Sequence, residues 1–219
     1  MKKLIIIAIL PILIIGCSTT RVMKITTSEP DAKIYVDNEL KGTGAASVPI
    51  TENEKVITRI EKQGYVTWIG TFSNLKGKQF QYKNNIILDK DQAFDASIQS
   101  DMANVDFSQV VNKKLTEGQA WKLVNNIVTN YFDEVEISDK ATGYLKTNWV
   151  VTPFNSGKVR TRIIVKGGSD EPLTYKIKLV SEQTNDPNAS VKEDEKFKTW
   201  DRVLKKYRDV IQEFQTRLK

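Results

Sequence analysis

Apolar and polar residues alternate along three segments in the second half of the chain, 141–151, 159–165 and 173–180. A period of two residues predicts β-strands that bury one face and expose the other to water. In the third segment the alternation runs from Leu173 to Val180, with lysines at two of the outward positions. Such a sheet needs cover on its apolar face, so the rest of the chain must supply helices or another sheet.

Two segments have the period of an amphipathic helix. Thr116–Gln119 matches a capping box, and the apolar spacing behind it predicts a helix over 117–132. Apolar residues also recur every three or four positions from Phe197 to Leu218, which predicts a long C-terminal helix. Its expected place is on the apolar face of the sheet, although a partner-binding or membrane-surface helix has the same pattern.

The first sixteen residues have the pattern of a secretion signal. Two lysines precede an apolar run over 4–15, which is shorter than the ~20 apolar residues that span a bilayer. The run ends in Ile14-Ile15-Gly16-Cys17, which resembles the bacterial lipobox, where cleavage precedes a cysteine that is then acylated. The resemblance implies a signal peptide over 1–16, lipidation of Cys17 and a tether over 17–21.

An acylated Cys17 would attach the chain to a membrane, because two or more acyl chains give stable anchorage. No later apolar stretch of the sequence approaches spanning length, so everything from Ser18 onward is expected outside the plasma membrane, in the cell envelope. In a Gram-negative cell, Ser18 after the cysteine favours the outer membrane, facing the periplasm. This location argues against a nucleic acid as partner.

The residue inventory restricts catalytic chemistry. The 219 residues include one cysteine and no histidine, which excludes histidine-based triads and thiolate zinc clusters. Nucleophile-elbow, phosphate-loop and dinucleotide motifs are absent from the sequence. The acidic pairs Glu134/Glu136 and Asp89/Asp91 have the spacing of solvated strand residues. We therefore predict a non-enzymatic protein with no catalytic residue, no metal site and no cofactor.

Residues 22–90 have the short strands and turn signals of a small antiparallel β-module. The order of its motifs resembles a PEGA domain, and the carrying residues are Ser28-Glu29-Pro30-Asp31-Ala32, Ile34-Tyr35-Val36-Asp37-Asn38, Gly42-Thr43 and Lys62-Gln63-Gly64-Tyr65. Asp31 replaces the family's glycine, and the proline expected after Thr43 is absent. The resemblance implies a small β-sandwich that acts as a non-catalytic extracellular module.

Tyr65 and Trp68 are the candidate binding residues of this module. Their aromatic rings could stack on a sugar, although strand aromatics more often pack in a core or against a neighbouring strand. Residues 91–103 are small and polar, and they are predicted to form an interdomain linker.

Residues 104–219 combine a strand, a helix, three strands and the predicted long C-terminal helix, which is a helix-grip arrangement. With Ala120-Trp121, Val135-Glu136-Ile137-Ser138-Asp139 and Gly143-Tyr144-Leu145, this order is similar to the repeated domain of BamC lipoproteins of the outer-membrane β-barrel assembly machinery. The fold class expected for the whole chain is therefore α+β.

These features predict a membrane-anchored envelope lipoprotein that serves as a non-catalytic binding or scaffold module for an envelope protein complex. A partner strand could add to an exposed sheet edge or bind beside the helix. The alternative is a carrier of a small lipid or glycan, held in a cavity between the helix and the sheet. The sequence leaves the partner and the oligomeric state open.

The Cys17→Ala variant should accumulate as an unprocessed precursor without lipid, because Cys17 is the only cysteine that could be acylated. Metabolic labelling with a radioactive fatty acid measures this directly. Ser18→Ala, one residue away, should keep the label. Labelled Cys17→Ala protein would contradict the lipobox assignment.

Overall fold

The computed structural model of the protein describes residues 18–219, which fall into two compact units. The first unit comprises residues 18–63 and 67–88, and the second comprises 64–66 and 89–219. The described chain is mainly β, with its longer helices in the second unit. The predicted mixture of helix and sheet is confirmed at this level, although strands are more dominant than expected.

The first unit is a seven-stranded sheet in the order β6-β5-β2-β3-β4-β1-β7. Its strands are β1 (Thr20–Thr27), β2 (Lys33–Val36), β3 (Glu39–Thr43), β4 (Ala45–Thr51), β5 (Lys55–Glu61), β6 (Trp68–Ser73) and β7 (Lys83–Ile86). Neighbouring strands are antiparallel except β1 and β7, which are parallel. Burial alternates along β2, β4 and β5, as the period of two requires: in β4, Ala46, Val48 and Ile50 are buried.

Two turns of the first unit depend on left-handed backbone conformations. The predicted tight turn at Asp37–Asn38 is confirmed: both residues have positive φ, 48° and 68°, which suits the twist of a two-residue hairpin. Gly44 joins β3 to β4 with φ +68°, and a Cβ there would lie 2.3 Å from the Pro30 carbonyl oxygen. Proline cannot adopt a positive φ, so the missing proline after Thr43 agrees with this backbone.

The second unit contains the remaining elements. They are α1 (Gln92–Asp95), β8 (Ser97–Gln99), β9 (Asp106–Val110), α2 (Glu117–Tyr131), β10 (Val135–Asp139), β11 (Tyr144–Thr147), β12 (Val150–Phe154), β13 (Gly157–Asp170), β14 (Leu173–Thr184), β15 (Lys198–Thr199), β16 (Arg202–Leu204) and α3 (Val210–Arg217). Short 3₁₀ turns cover Asp194–Lys196 and Lys205–Tyr207. The main sheet runs β10-β11-β13-β14-β15, with β12 beside β13 and β9 beside β14, and β16 pairs with β8.

Helices α2 and α3 pack together on one face of this sheet, which we call the inner face. Val124 and Ile127 of α2 are fully buried, as are Ile163 of β13 and Ile177 of β14. The rings of Phe132 and Tyr207 stack 4.9 Å apart within the same core. The space between helices and sheet is therefore filled by side chains.

The local signals of this unit are confirmed in part. Helix α2 begins where predicted, because the Thr116 hydroxyl accepts from the Gln119 backbone and the Gln119 side chain accepts from the Thr116 backbone. The predicted strand over 141–151 is instead two strands, β11 and β12, separated at Asn148–Trp149. Strands β13 and β14 are longer than predicted and form one hairpin.

The linker predicted over 91–103 is wrong, because this segment contains α1 and β8 and belongs to the second unit. The Asp91 carboxylate caps α1, and β8 pairs with β16. Its polar side chains are therefore used in capping and hydrogen bonding rather than in a solvated spacer.

The prediction of a long C-terminal helix is also wrong. Only Val210–Arg217 is α-helical, and the residues before it form β15, β16 and a 3₁₀ turn. The apolar residues of the stripe are nevertheless buried, as predicted. Their backbone finds distant partners, since Trp200 N donates to Ser181 O and Lys205 N donates to Ala96 O. These long-range hydrogen bonds override the local helical period.

Asn104 connects the C-terminal segment to the sheet. Strand β14 pairs with β9 at one end and β15 at the other, and Asn104 fills the gap between them. Its side-chain amide accepts from Ser181 N at 2.9 Å and donates to Ser181 O at 3.0 Å and Trp200 O at 2.8 Å. The residue has φ 62°, a conformation that asparagine tolerates better than most residues.

Asn104→Ala should lower the free energy of unfolding by about 3 kcal/mol, because three hydrogen bonds are lost and alanine is strained at positive φ. Asn104→Gly loses the same hydrogen bonds without that strain and should recover ~1 kcal/mol. Urea unfolding of both variants measures the difference. Two variants as stable as the wild type would show that the amide does not hold this segment.

Candidate functional site

Cys17, the predicted lipidation site, lies outside the described residues, and its acylation stays a prediction. Within residues 18–219, no helix is long and apolar enough to cross a membrane.

The indole ring of Trp68 packs against other residues of its own strand, β6. It begins β6 on the side of the sheet that faces the buried Ile60, and its ring lies over Gly70, where a Cβ would come within 2.1 Å of the indole. The ring then stacks on Phe72 at 5.9 Å. One face of the indole is thus occupied within β6, which is the packing role of a strand aromatic, and sugar stacking stays a prediction.

Tyr65 lies in the segment 64–66, which belongs to the second unit, and it forms an isolated antiparallel bridge with Lys90. Gly64 before it has φ +81°, in agreement with the predicted need for a glycine there. Tyr65 thus belongs to the second unit and Trp68 to the first, and a binding role for either stays a prediction.

The first unit instead has an apolar outer face, formed by Tyr35, Leu40, Ile57 and Ile69. Cross-strand pairing places Leu40 beside Tyr35, Tyr35 beside Arg59, and Arg59 beside Ile69, so one row crosses four strands. Ile57 lies next to this row on β5. Leu40 is 53% exposed, Ile57 57% and Ile69 65%. Clustered exposed apolar side chains of this kind mark interaction surfaces more often than isolated ones do.

Two charged groups beside these apolar residues have partners within the unit. The Arg59 guanidinium lies 4.4 Å from the centre of the Tyr35 ring and pairs with Glu61. The Asp37 carboxylate accepts from the Ile57 backbone N–H at 2.9 Å. The face therefore offers apolar contact area without a strong net charge.

The face ends at β6, an edge strand. Within residues 18–219, β6 pairs with β5 alone, so its other edge has backbone groups free to pair with a further strand. A strand added there would place alternate side chains beside Ile69.

Lys62 forms ion pairs with two carboxylates of the motif that resembles a PEGA domain. Its ammonium lies 2.6 Å from carboxylate oxygens of both Glu29 and Asp31. The hydrogen bond from Lys62 lowers the pKa of Asp31, and the two carboxylates raise the pKa of Lys62. Asp31, the departure from the family's glycine, thus has a partner in the later part of the same motif.

No group of three or more acidic or thiol side chains that could hold a metal occurs in the described residues. Three of the four acidic residues considered above have structural partners: Glu134 accepts from Asn148, Glu136 pairs with Lys146, and Asp91 caps α1. A cavity of about 630 Å³ is open to solvent beside Glu117 and the end of the β13–β14 hairpin.

Sequence reasoning missed the apolar outer face because its residues come from four strands. One signal was present: Ile57 follows Val56 directly, whereas a strand with one solvated face should have a polar residue there.

Comparison of the chain with models of protein families and with the sequences of curated proteins gave no match.

Ile57→Ser and Ile69→Ser should each change the free energy of unfolding by less than about 0.5 kcal/mol, because both side chains are mostly exposed. Ile60→Ser, on the buried side of β5, should cost several times more. Urea titrations of the three variants make the comparison. A large loss in the first two would mean that the face has a structural role instead of being free for a partner.

Proposed function

We propose that this chain is a lipid-anchored, non-catalytic scaffold of the cell envelope that binds a protein partner on the apolar outer face of its first unit. The observation that supports this most directly is the cluster of exposed apolar residues Leu40, Ile57 and Ile69, which reaches the free edge of β6. A partner strand could add backbone hydrogen bonds at the edge and apolar contacts to Ile57 and Ile69. Membrane attachment through acylated Cys17 would hold this surface near its partner.

The family assignments support the same role. The Asp37–Asn38 hairpin and the Lys62–Asp31 pair are consistent with a PEGA-like β-sandwich in the first unit. In the second unit, α2 and α3 on one face of an antiparallel sheet are consistent with a helix-grip domain related to BamC lipoproteins, although α3 is short. Such modules present surfaces rather than reactive groups, and the outer membrane facing the periplasm is the proposed location.

The carrier alternative has less support. A lipid held between helix and sheet needs an apolar cavity there, whereas Val124, Ile127 and Ile163 are fully buried in a shared core. The open cavity near Glu117 also has Asp170 and Glu171 in its wall, which is unsuited to an acyl chain.

A photoreactive amino acid at position 69 of the full chain tests the proposed surface in living cells. We expect a crosslink to one defined envelope protein, lost when Ile57→Asp is added, because the charge would be desolvated under the partner. The control position is Ser47, an exposed residue of β4. The same adducts from both positions would contradict the proposal.

The mass of the crosslinked adduct also distinguishes an envelope protein from a second copy of this chain as the partner. An adduct of twice the chain mass would identify a second copy as the partner and would replace the envelope protein in the proposal. Turnover of a cell-wall substrate by the purified chain, abolished by a carboxylate substitution, would contradict the non-catalytic role.

A further inference from the structure

The second unit has a cationic outer face on the side of its sheet opposite the helices. The inner face is fixed by Ile163 and Val165 on β13 and by Ile177 and Leu179 on β14, all at most 1% exposed. Alternation therefore turns their neighbours outward. We call the outward set Lys146, Arg162, Lys166, Lys176 and Lys178 the cationic outer face.

Strand register places these cations side by side. Lys166 pairs directly with Lys176, and in the adjacent row Ile164 lies between Lys146 and Lys178. Across a sheet, neighbouring strands are ~5 Å apart, so the lysines form a closely spaced array. Like charges directly opposite each other disfavour the pairing of their strands.

Few carboxylates of the described chain offset this charge. Lys146 pairs with Glu136 at 2.9 Å and Lys178 with Asp106 at 3.5 Å, whereas Lys166 and Lys176 have no ion pair within residues 18–219. Arg162 lies 4.0 Å from the centre of the half-buried Trp149 ring, and its buried Nε has no hydrogen-bond acceptor. The array is therefore short of anionic partners.

At the other end of the same outer face, a buried cation has partners that Lys166 and Lys176 lack in the part of the chain that the structure describes. Arg160, 2% exposed, pairs with Glu182 at 2.5 Å and Asp194 at 2.7 Å, and it also donates to Val191 O. The Phe197 ring lies over its guanidinium. The chain thus supplies anions and cover at that end, and supplies neither for Lys166 and Lys176.

We infer that the cationic outer face docks on the anionic headgroups of a lipid membrane. A sheet face that presents several lysines suits a surface of phosphates, and each lysine near such a surface contributes favourably. The inference rests in part on the proposed lipid anchor, which would keep this face at high effective concentration near headgroups. An anchor alone does not orient the second unit, and the array supplies an orientation.

The rate of lysine acetylation on vesicle-bound protein tests whether the cationic outer face docks on lipid headgroups. The mature acylated chain is placed on vesicles of phosphatidylcholine, either pure or with about a third phosphatidylglycerol. On the anionic vesicles, acetylation of Lys166 and Lys176 should slow, and Lys113 and Lys114, exposed in the loop before α2, should be unaffected. The protection should disappear near 1 M salt, where the screening length falls to ~3 Å.

Matched variants sharpen the test without altering the reporter lysines. Lys146→Gln/Lys178→Gln removes two charges of the array and should lower the ratio of docked to undocked chains about 30-fold. Lys113→Gln/Lys114→Gln removes the same charge elsewhere and should leave protection intact. Equal loss in both variants, or equal protection on neutral vesicles, would overturn the inference.

Two further outcomes separate it from the proposed function. Flotation with neutral vesicles reports the acyl anchor, so protection on anionic vesicles without such flotation would support the cationic face and contradict the tether. Protection of Lys166 and Lys176 in intact envelopes, but not on anionic vesicles, would assign the face to an acidic protein and overturn the lipid inference.

Discussion

The side-chain amide of Asn104 is the contact on which the second unit most depends. Between the parts of β14 that pair with β9 and with β15, it binds both backbone groups of Ser181 and the carbonyl of Trp200, while Trp200 N also donates to Ser181 O. A buried strand cannot leave such groups unpaired without a cost of a few kcal/mol. Because Asn104 holds Trp200 against β14, the following residues reach the core as strands and turns, and α3 begins only at Val210.

Elements set by short-range chemistry could be predicted from the sequence. Helix α2 depends on Thr116 and Gln119, three residues apart, and the hairpin at Asp37–Asn38 depends on residues that accept positive φ. The C-terminal segment could be predicted only in part. Its apolar spacing identified the buried residues, but the spacing alone does not distinguish a helix from extended segments whose hydrogen bonds come from distant residues such as Ser181 and Ala96.

The candidate surfaces depend on register, which no local pattern shows. Leu40, Tyr35 and Ile69 are far apart in sequence and become one row only because β3, β2, β5 and β6 pair as they do. The alternation of Lys176 and Lys178 was visible in the sequence, but the position of Lys166 opposite Lys176 follows from the hairpin register. In the same way, the packing role of Trp68 depends on Gly70 beneath its ring.

The inner face of the second sheet is apolar and its outer face carries charge, and this difference costs the fold little free energy. On the inner face, Ile163 and Ile177 are fully buried, so their burial stabilises the fold. Arg160 shows what accompanies a buried cation on the outer face, since it contacts two carboxylates, a carbonyl and two aromatic rings. An exposed lysine such as Lys176 stays hydrated and needs none of these. Open positions on the outer face can therefore hold charge for an external surface while the inner core keeps the unit folded.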